Sequence, residues 1–393
     1  MFKYLTTLLM FISFSISNLM CSDPVPEAEL SSLTVNGVMM PRDSKNATTF
    51  RFTIDVSPAS AKEIKVNYTT IDGTAISGKD YTAASGTLTI PANGVSGYID
   101  VQVLPDSLRQ PEQSFFLELS SPVHAIISGN GKVYGTIIND GTWYPVNGAG
   151  FAAPESYPGM NLVWKEDFNG KTLNSAVWTN ETGGGGWGNN ELQNYTSNSN
   201  NTFLSGGYLI VEARKESSGN RNYSSARIIS KDKKTFTYGR IDIRAKLPKG
   251  KGIWPALWML GNNISAIGWP ACGEIDIMEL LGHEPQKVYG TIHWGPQGGS
   301  SIHIGGDFSL SSGNFSDNFH VFSLKWEADQ LIVLVDNVPF FTGKKAQVSG
   351  AYPFDKPFFF IMNVAVGGNW PGNPDETTVF PQRMIVDYIR VYQ

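Results

Sequence analysis

Glu274, Asp276 and Glu279 fall within one short apolar run, Gly273-Glu274-Ile275-Asp276-Ile277-Met278-Glu279. On a strand, side chains at i and i+2 share a face, so Glu274 and Asp276 look the same way. Glu279, at i+5, looks the opposite way on a regular strand. A β-bulge at Ile277-Met278 inserts one extra residue and returns Glu279 to the side of the other two. Like charges that close raise one another's pKa, so one acid stays protonated near neutral pH while another ionises. Glycoside hydrolysis needs such a pair, a carboxylate to attack and a carboxylic acid to protonate the leaving oxygen. Acidic triplets also occur on solvated strand faces and in calcium loops. The flanks favour the first reading. Trp254, Trp258 and Trp269 precede the run and His293-Trp294 follow it, and indole rings suit the C–H faces of sugars.

The elements that must position these acids are strands. The chain's 393 residues suffice for two or three domains. Its 22 Pro and 41 Gly, without a long amphipathic helical pattern, predict an all-β protein with many turns. A net charge of −5 argues against nucleic acid as a partner. All ten Trp lie at Trp143 or beyond, so residues 1–142 form a compositionally separate block. The two cysteines, Cys21 and Cys272, cannot build a disulfide framework. Cys272 reads as a small buried core residue rather than a nucleophile.

Residues 1–21 read as an export signal, with Lys3 ahead of an apolar stretch too short to span a bilayer. Two processing readings compete. Ser15 and Ser17 suit ordinary signal-peptidase cleavage. Leu19-Met20-Cys21 instead resembles a bacterial lipoprotein site, in which lipid on Cys21 attaches the protein to a membrane. Either way the expectation is an exported protein, secreted or held at the cell surface. Residues 22–30 follow as a tether.

From residue 31 to 141, short alternating runs such as Thr49-Phe50-Arg51-Phe52-Thr53-Ile54 and Ser114-Phe115-Phe116-Leu117-Glu118-Leu119 predict a small β-sandwich of about seven strands. Thr70-Ile71-Asp72-Gly73-Thr74-Ala75, Lys79-Asp80-Tyr81, Asp106, Glu112-Gln113-Ser114-Phe115 and Gly135-Thr136-Ile137-Ile138-Asn139-Asp140 resemble the Calx-beta domain. Some members of that family bind calcium through clustered acids. Here Gln110 and Gly141 stand where acids are common, so a spacer or protein-contact module is expected. Residues 142–160 are linker-like, rich in Pro and Gly. Residues 161–393 carry further period-2 runs, at 208–213, 238–245, 319–326, 331–336, 358–364 and 384–392.

This last segment resembles the laminarinase branch of glycoside hydrolase family 16. The resemblance rests on Trp164-Lys165-Glu166-Asp167-Phe168, on Gly186-Trp187-Gly188-Asn189-Asn190-Glu191-Leu192-Gln193-Asn194-Tyr195-Thr196, on Gly252-Ile253-Trp254-Pro255-Ala256-Leu257-Trp258, on Gly268-Trp269-Pro270-Ala271-Cys272 and on the bulged spacing of the acidic run. It implies a concanavalin-like jelly-roll of two antiparallel sheets with an open cleft. It implies endo-hydrolysis of β-1,3-glucan with retention. Glu274 would be the nucleophile, Glu279 the acid/base and Asp276 their assistant. Trp187, Trp254, Trp258, Trp269, His293, Asn363 and Trp370 would line the sugar subsites. Arg227 and Asn189 suit sugar hydroxyls. Trp164, Trp178 and Trp326 are expected in the core.

Asp387 falls in phase with Ile385, Ile389 and Val391, and an acid on an apolar face needs a partner. The resemblance implies a structural calcium ion there, taking oxygens from Glu166, Gly207 (backbone) and Asp387. The expected state is a monomer. The alternatives kept open are a mixed-linkage β-glucanase or other family 16 hydrolase, a non-catalytic glucan-binding protein, and an adhesion protein.

Overall fold

The computed structural model describes residues 30–110, 112–139, 141 and 143–393. The expected export signal, Cys21, residues 22–29 and Asp140 lie outside the described residues. Strand follows strand almost throughout, and the helix Ile264–Ile267 is a single turn.

Residues 31–138 form a four-stranded and a five-stranded sheet, more strands than the alternation predicts because short edge strands such as Ala125–Ile127 carry little pattern. Thr48–Ser57 buries every second side chain, the signature of a sheet with one face inward. Phe50, Phe52, Tyr81 and Phe115 fill the space between the sheets, with Tyr81 stacked on Phe115 at 4.4 Å. Asp80 and Asp106 converge at one end. The Arg42 guanidinium meets them at 3.0 and 3.2 Å. The Gln113 and Gln110 amides donate to the same acids at 3.1 and 3.3 Å. A fixed side-chain cation thus pairs with both of these acids.

The Pro/Gly-rich stretch after it is bound down. Tyr144 N–H donates to Ser205 Oγ at 2.8 Å, and Arg244 donates to the carbonyls of Phe151 and Gly148 at 2.6 and 2.7 Å.

The C-terminal part stacks two eight-stranded sheets. In the cleft sheet the strands are β1 (Thr179–Glu181), β2 (Arg227–Ile229), β3 (Ile253–Gly261), β4 (Glu274–Glu279), β5 (Lys287–Trp294), β6 (Ile302–Ser309) and β7 (Phe358–Val366), with the short Thr235–Phe236 pairing alongside β7. Their order is β1-β2-β7-β3-β4-β5-β6, each pair antiparallel. The outer sheet centres on Gln382–Tyr392 and Gly239–Lys246. Trp178, Trp294 and Trp326 lie buried between the sheets, with Trp164 packed half-buried at the same core. Trp294 is therefore not a cleft residue. It follows His293 on β5, and successive strand side chains point to opposite faces.

The acidic run is β4, and its register slips where the bulge was expected. Asp276 pairs with Thr291 and Glu279 with Tyr289, so Ile277 and Met278 face the single residue Gly290. On the other side Asp276 pairs with Trp258 and Met278 with Leu257. Ile275, Ile277 and Met278 are all buried in the core.

A second bulge corrects the reading of Asp387. Tyr388 pairs with Arg244 but Val386 with Ala245, so the phase changes at Asp387. The core face is Met384, Val386, Ile389 and Val391, whereas Ile385 packs on the outside with Ile210 and Phe319. Asp387 lies off the core face, 25% exposed, with Oδ2 on Arg244 at 2.5 Å.

Candidate active site

The cleft face of the sheet can be read from register. Ala256, Glu279 and Tyr289 form one row, Trp258, Asp276 and Thr291 the next, and Leu260, Glu274 and His293 a third. These rows floor a cleft of about 580 Å³. The cleft gathers Glu274, Asp276 and Glu279 with all nine residues expected as sugar contacts: Trp187, Asn189, Arg227, Trp254, Trp258, Trp269, His293, Asn363 and Trp370.

Each of the outer acids is held by an indole. Trp269 Nε1 donates to Glu274 Oε2 at 2.8 Å, and Trp254 Nε1 donates to Glu279 Oε1 at 3.0 Å. His293 Nε2 stands 3.3 Å from Asp276 Oδ2 and 3.8 Å from Glu274 Oε1. Asp276 lies deepest, its side chain only 4% exposed.

Burial and mutual repulsion push all three acids upward. Glu274 rises to about 8, first through loss of hydration and then through Asp276, with His293, the Trp269 bond and Arg227 pulling it back. Burial likewise lifts Asp276 to about 8. Glu279 is driven well above the carboxylate range by burial and by both neighbours, against the weaker pull of Trp254 and His293. The order follows from the partners. His293 and Arg227 both favour ionised Glu274, whereas Glu279 has only His293 of these two against the charge of both other acids. Of the two glutamates, Glu274 is the readier to ionise and Glu279 the one that keeps its proton.

The walls are built by side chains already engaged with one another. Arg227 Nε bonds Glu181 Oε2 at 2.6 Å, and its guanidinium lies 4.9 Å from the Trp187 ring and 4.7 Å from the Trp258 ring. Trp187 donates to the Gly183 carbonyl at 2.9 Å and adopts φ 47°, rare for a bulky residue and costing on the order of 1–3 kcal/mol. Trp370 packs edge-on against Trp254 and Tyr289.

Asn363 differs from expectation. It is 6% exposed. Its Oδ1 accepts from Trp258 Nε1 at 2.7 Å and its Nδ2 donates to Tyr195 at 3.1 Å. It fixes the Trp258 ring rather than offering an amide to a sugar. Glu191, Thr291 and His303 also line the cleft and were not anticipated. Glu191 is buried with Gln193 Nε2 at 2.5 Å, and burial raises its pKa. Its signal was an acid placed next to Leu192 in a cleft loop. His303 lies opposite His293 across the β5–β6 hairpin, so pairing that hairpin would have found it. Cys272 is buried and free, its thiol pushed up to about 11 by burial, as suits a core residue.

Of the expected calcium set, both Glu166 carboxylate oxygens accept N–H bonds, from Phe168 and Trp178, each at 3.1 Å. Each of those oxygens keeps a second lone pair. Leu209 pairs with Val386 and Glu166 with Ile389, so Gly207 and the end of the Leu162–Glu166 strand flank Asp387. Main-chain oxygens there and the second Asp387 oxygen fit a hard cation. Among the described residues, one group of His, Asp and Glu side chains has ligand atoms close enough to share a metal: Glu274, Asp276 and His293, all within 4.8 Å.

A two-sheet sandwich with paired acids across an open, indole-lined cleft defines a polysaccharide hydrolase architecture. Residues 188–390 match the family model described as glycosyl hydrolases family 16, and the chain belongs to that family. Residues 40–140 match the Calx-beta domain model. The chain is 43% identical over 260 residues to glucan endo-1,3-beta-glucosidase A1 of Niallia circulans, covering 60% of this chain but 38% of that protein. It is 39% identical over 254 residues to a beta-glucanase of Rhodothermus marinus, covering 60% of this chain and 86% of the relative. The laminarinase catalytic domain from Thermotoga maritima MSB8 superposes with a TM-score of 0.56 at 49% identity, over 60% of this chain and 98% of that one.

The Trp269 bond favours ionised Glu274, so its loss raises the Glu274 pKa. In Trp269→Phe the acidic limb of the pH–rate profile is expected to move to higher pH. The shift should be roughly half to one unit, because a bond to a charged group is worth about 1.5–3 kcal/mol before solvent screening. Trp269 is 47% exposed, which places the shift toward the lower part of that range. An acidic limb that stays in place or moves down would refute the coupling.

Proposed function

We propose that this protein is a retaining endo-β-1,3-glucanase. The observation that carries the reading is the bulge on β4, which puts Glu274 and Glu279 on one cleft face with Asp276 between them. The laminarinase and glucan endo-1,3-beta-glucosidase relatives support β-1,3-glucan as the substrate.

The chemistry is a double displacement. Trp269 and His293 favour the ionised form of Glu274 against its burial, and the Trp269 bond aims the carboxylate. Glu274 attacks the anomeric carbon as Glu279 passes its proton to the glycosidic oxygen, and the shortened chain departs. Glu279, now ionised, takes a proton from water, which attacks the same carbon and frees Glu274. Asp276 lies between the two glutamates and its charge raises the pKa of each, so protonation of one acid depends on the charge of the others. Trp187, Trp254, Trp258 and Trp370 offer ring faces to the glucan, and Arg227 is fixed between two of them. The protein is proposed to act as a monomer.

Glu274→Ala and Glu279→Gln should each bind laminarin with near-normal affinity and lose at least about 10³-fold in kcat, as removal of a covalent or proton-transfer step does. The wild type should cut laminarin internally, in preference to mixed-linkage glucan, agarose and cellulose, with a specific activity unchanged on dilution. Turnover by either variant within tenfold of wild type would sink the assignment, and preferred cleavage of another polymer would move the substrate.

We also propose a structural calcium ion at the Asp387 edge, held by Asp387 and the main-chain oxygens of Gly207 and Glu166. It would tie the Leu162–Glu166 strand end to its neighbours. Removal by chelator should lower the thermal midpoint by several degrees, restored by calcium; an unchanged midpoint counts against it.

Export by residues 1–21 with lipid on Cys21 is the reading proposed for location. Cys21→Ser should shift the protein from the membrane fraction to the soluble fraction and abolish incorporation of labelled fatty acid. Equal labelling of both forms would rule it out.

A further inference from the structure

The cleft holds a second set of ligand atoms whose geometry the hydrolytic mechanism does not require. His293 Nδ1 pairs with Ser301 Oγ at 3.3 Å. A proton on Nδ1, donated to that hydroxyl, leaves the Nε2 lone pair pointing at the acids. Asp276 Oδ2 faces Nε2 at 3.3 Å yet is buried without a hydrogen-bond partner. Such an orphaned buried carboxylate oxygen is costly and calls for a cation. Glu274 Oε1 lies 3.8 Å from the same nitrogen.

These spacings have a specific chemical meaning. Zinc bound to imidazole and carboxylate at about 2.0–2.2 Å in a tetrahedron requires ligand atoms roughly 3.3 Å apart. The Asp276–His293 pair already stands at that separation, and Glu274 Oε1, 3.8 Å from the same nitrogen, is the ligand that must close in. Ser301 plays the outer-shell part, fixing the ring and its tautomer as partners of metal-bound histidines do. One imidazole with two carboxylates selects a borderline ion such as zinc over calcium or magnesium, which prefer all-oxygen sets.

We infer that Glu274, Asp276 and His293 form a preassembled site for a zinc-like divalent ion, and that its occupation blocks the active site. The bound ion takes the Glu274 carboxylate out of reach of an anomeric carbon. It also fills the space where a sugar must sit, so inhibition is competitive with glucan. The zinc site itself does not depend on the catalytic roles of these side chains, whereas the inhibition rests on the proposed hydrolysis.

The test is a calorimetric titration of the full chain with zinc chloride in a non-chelating buffer. One ion per chain should bind. Affinity should fall at least about tenfold in His293→Gln and in Asp276→Asn, since even outer-shell changes cost that much at metal sites. A β-1,3-gluco-oligosaccharide should weaken zinc binding, and zinc should raise KM without lowering kcat. Melting curves of both variants check that they fold. Zinc binding of undiminished affinity in folded His293→Gln and Asp276→Asn, at other histidines or none, would overturn the site. Zinc bound at the triad of a chain that cleaves no glucan would sink the hydrolase reading alone. Glucan cleavage insensitive to zinc would sink this inference alone.

Discussion

Three carboxyl groups on one side of β4 lose their hydration and repel one another, and no refolding of a side chain relieves either cost. The opposite side of the strand is sealed by Ile275, Ile277 and Met278 in the core. Burying an unpaired charge is far more expensive than breaking any single hydrogen bond nearby, so the acids shed charge instead. That is why their pKa values rise together, and why the cluster can hold protons near neutrality at all. The division of labour then depends on weak asymmetries. Each glutamate has one indole donor, but His293 and Arg227 both favour ionised Glu274, whereas Glu279 feels both neighbouring acids. A few partners placed a residue apart separate an acid from a nucleophile.

The rest of the cleft keeps those partners still. Trp258 is pinned by Asn363, and Asn363 by Tyr195. Arg227 is anchored by Glu181 while lying over two indoles. Trp187 holds a left-handed backbone conformation between Gly186 and Gly188, both also at positive φ. A strained loop of that kind persists only when surroundings fix it. Here the Trp187–Gly183 bond and the backbone bond from Leu192 N–H to the Val366 carbonyl supply the fixing. The aromatic surface is therefore laid out before any sugar arrives, which reduces the ordering cost of binding.

How much of this was legible in the sequence depends on local phase. The acid run could be read because three like charges in an apolar strand have few explanations, and the slip needed to align them falls at Ile277-Met278. Strands with one wet face, such as Thr48–Ser57, announced themselves by alternation. β7 reads as a period-2 run at 358–364 yet is buried along its whole length, so alternation there does not separate a wet face from a dry one. The bulge at Asp387 misled because Ile385, Ile389 and Val391 keep a perfect period of two in sequence while the chain changes face between them. Asn363 misled for another reason. Register puts it on the cleft face, but only the three-dimensional positions of Trp258 and Tyr195 reveal that its amide is already spent. Sequence gives direction of a side chain far better than it gives the partner waiting there.

The N-terminal block attaches on the side of the sandwich away from the chemistry. Along Tyr208–Ala213, Leu209, Val211 and Ala213 face the core, which leaves Ile210 and Glu212 outward. Tyr144 and Val146 pack on Ile210, Phe319 and Ile385. Glu212 is fully buried among Arg214 at 2.7 Å, Arg383 at 2.6 Å and Arg109 of the N-terminal block at 3.6 Å. Arg109 thus joins a carboxylate that Arg214 and Arg383 already pair, a charged contact between the two folding units. Within the block itself, Arg42 already pairs with both Asp80 and Asp106. Among the described residues, none that lines the cleft comes from this block. Its influence on turnover must therefore run through stability and placement: it holds the outer sheet from behind and leaves the opposite face open along its length to a polymer.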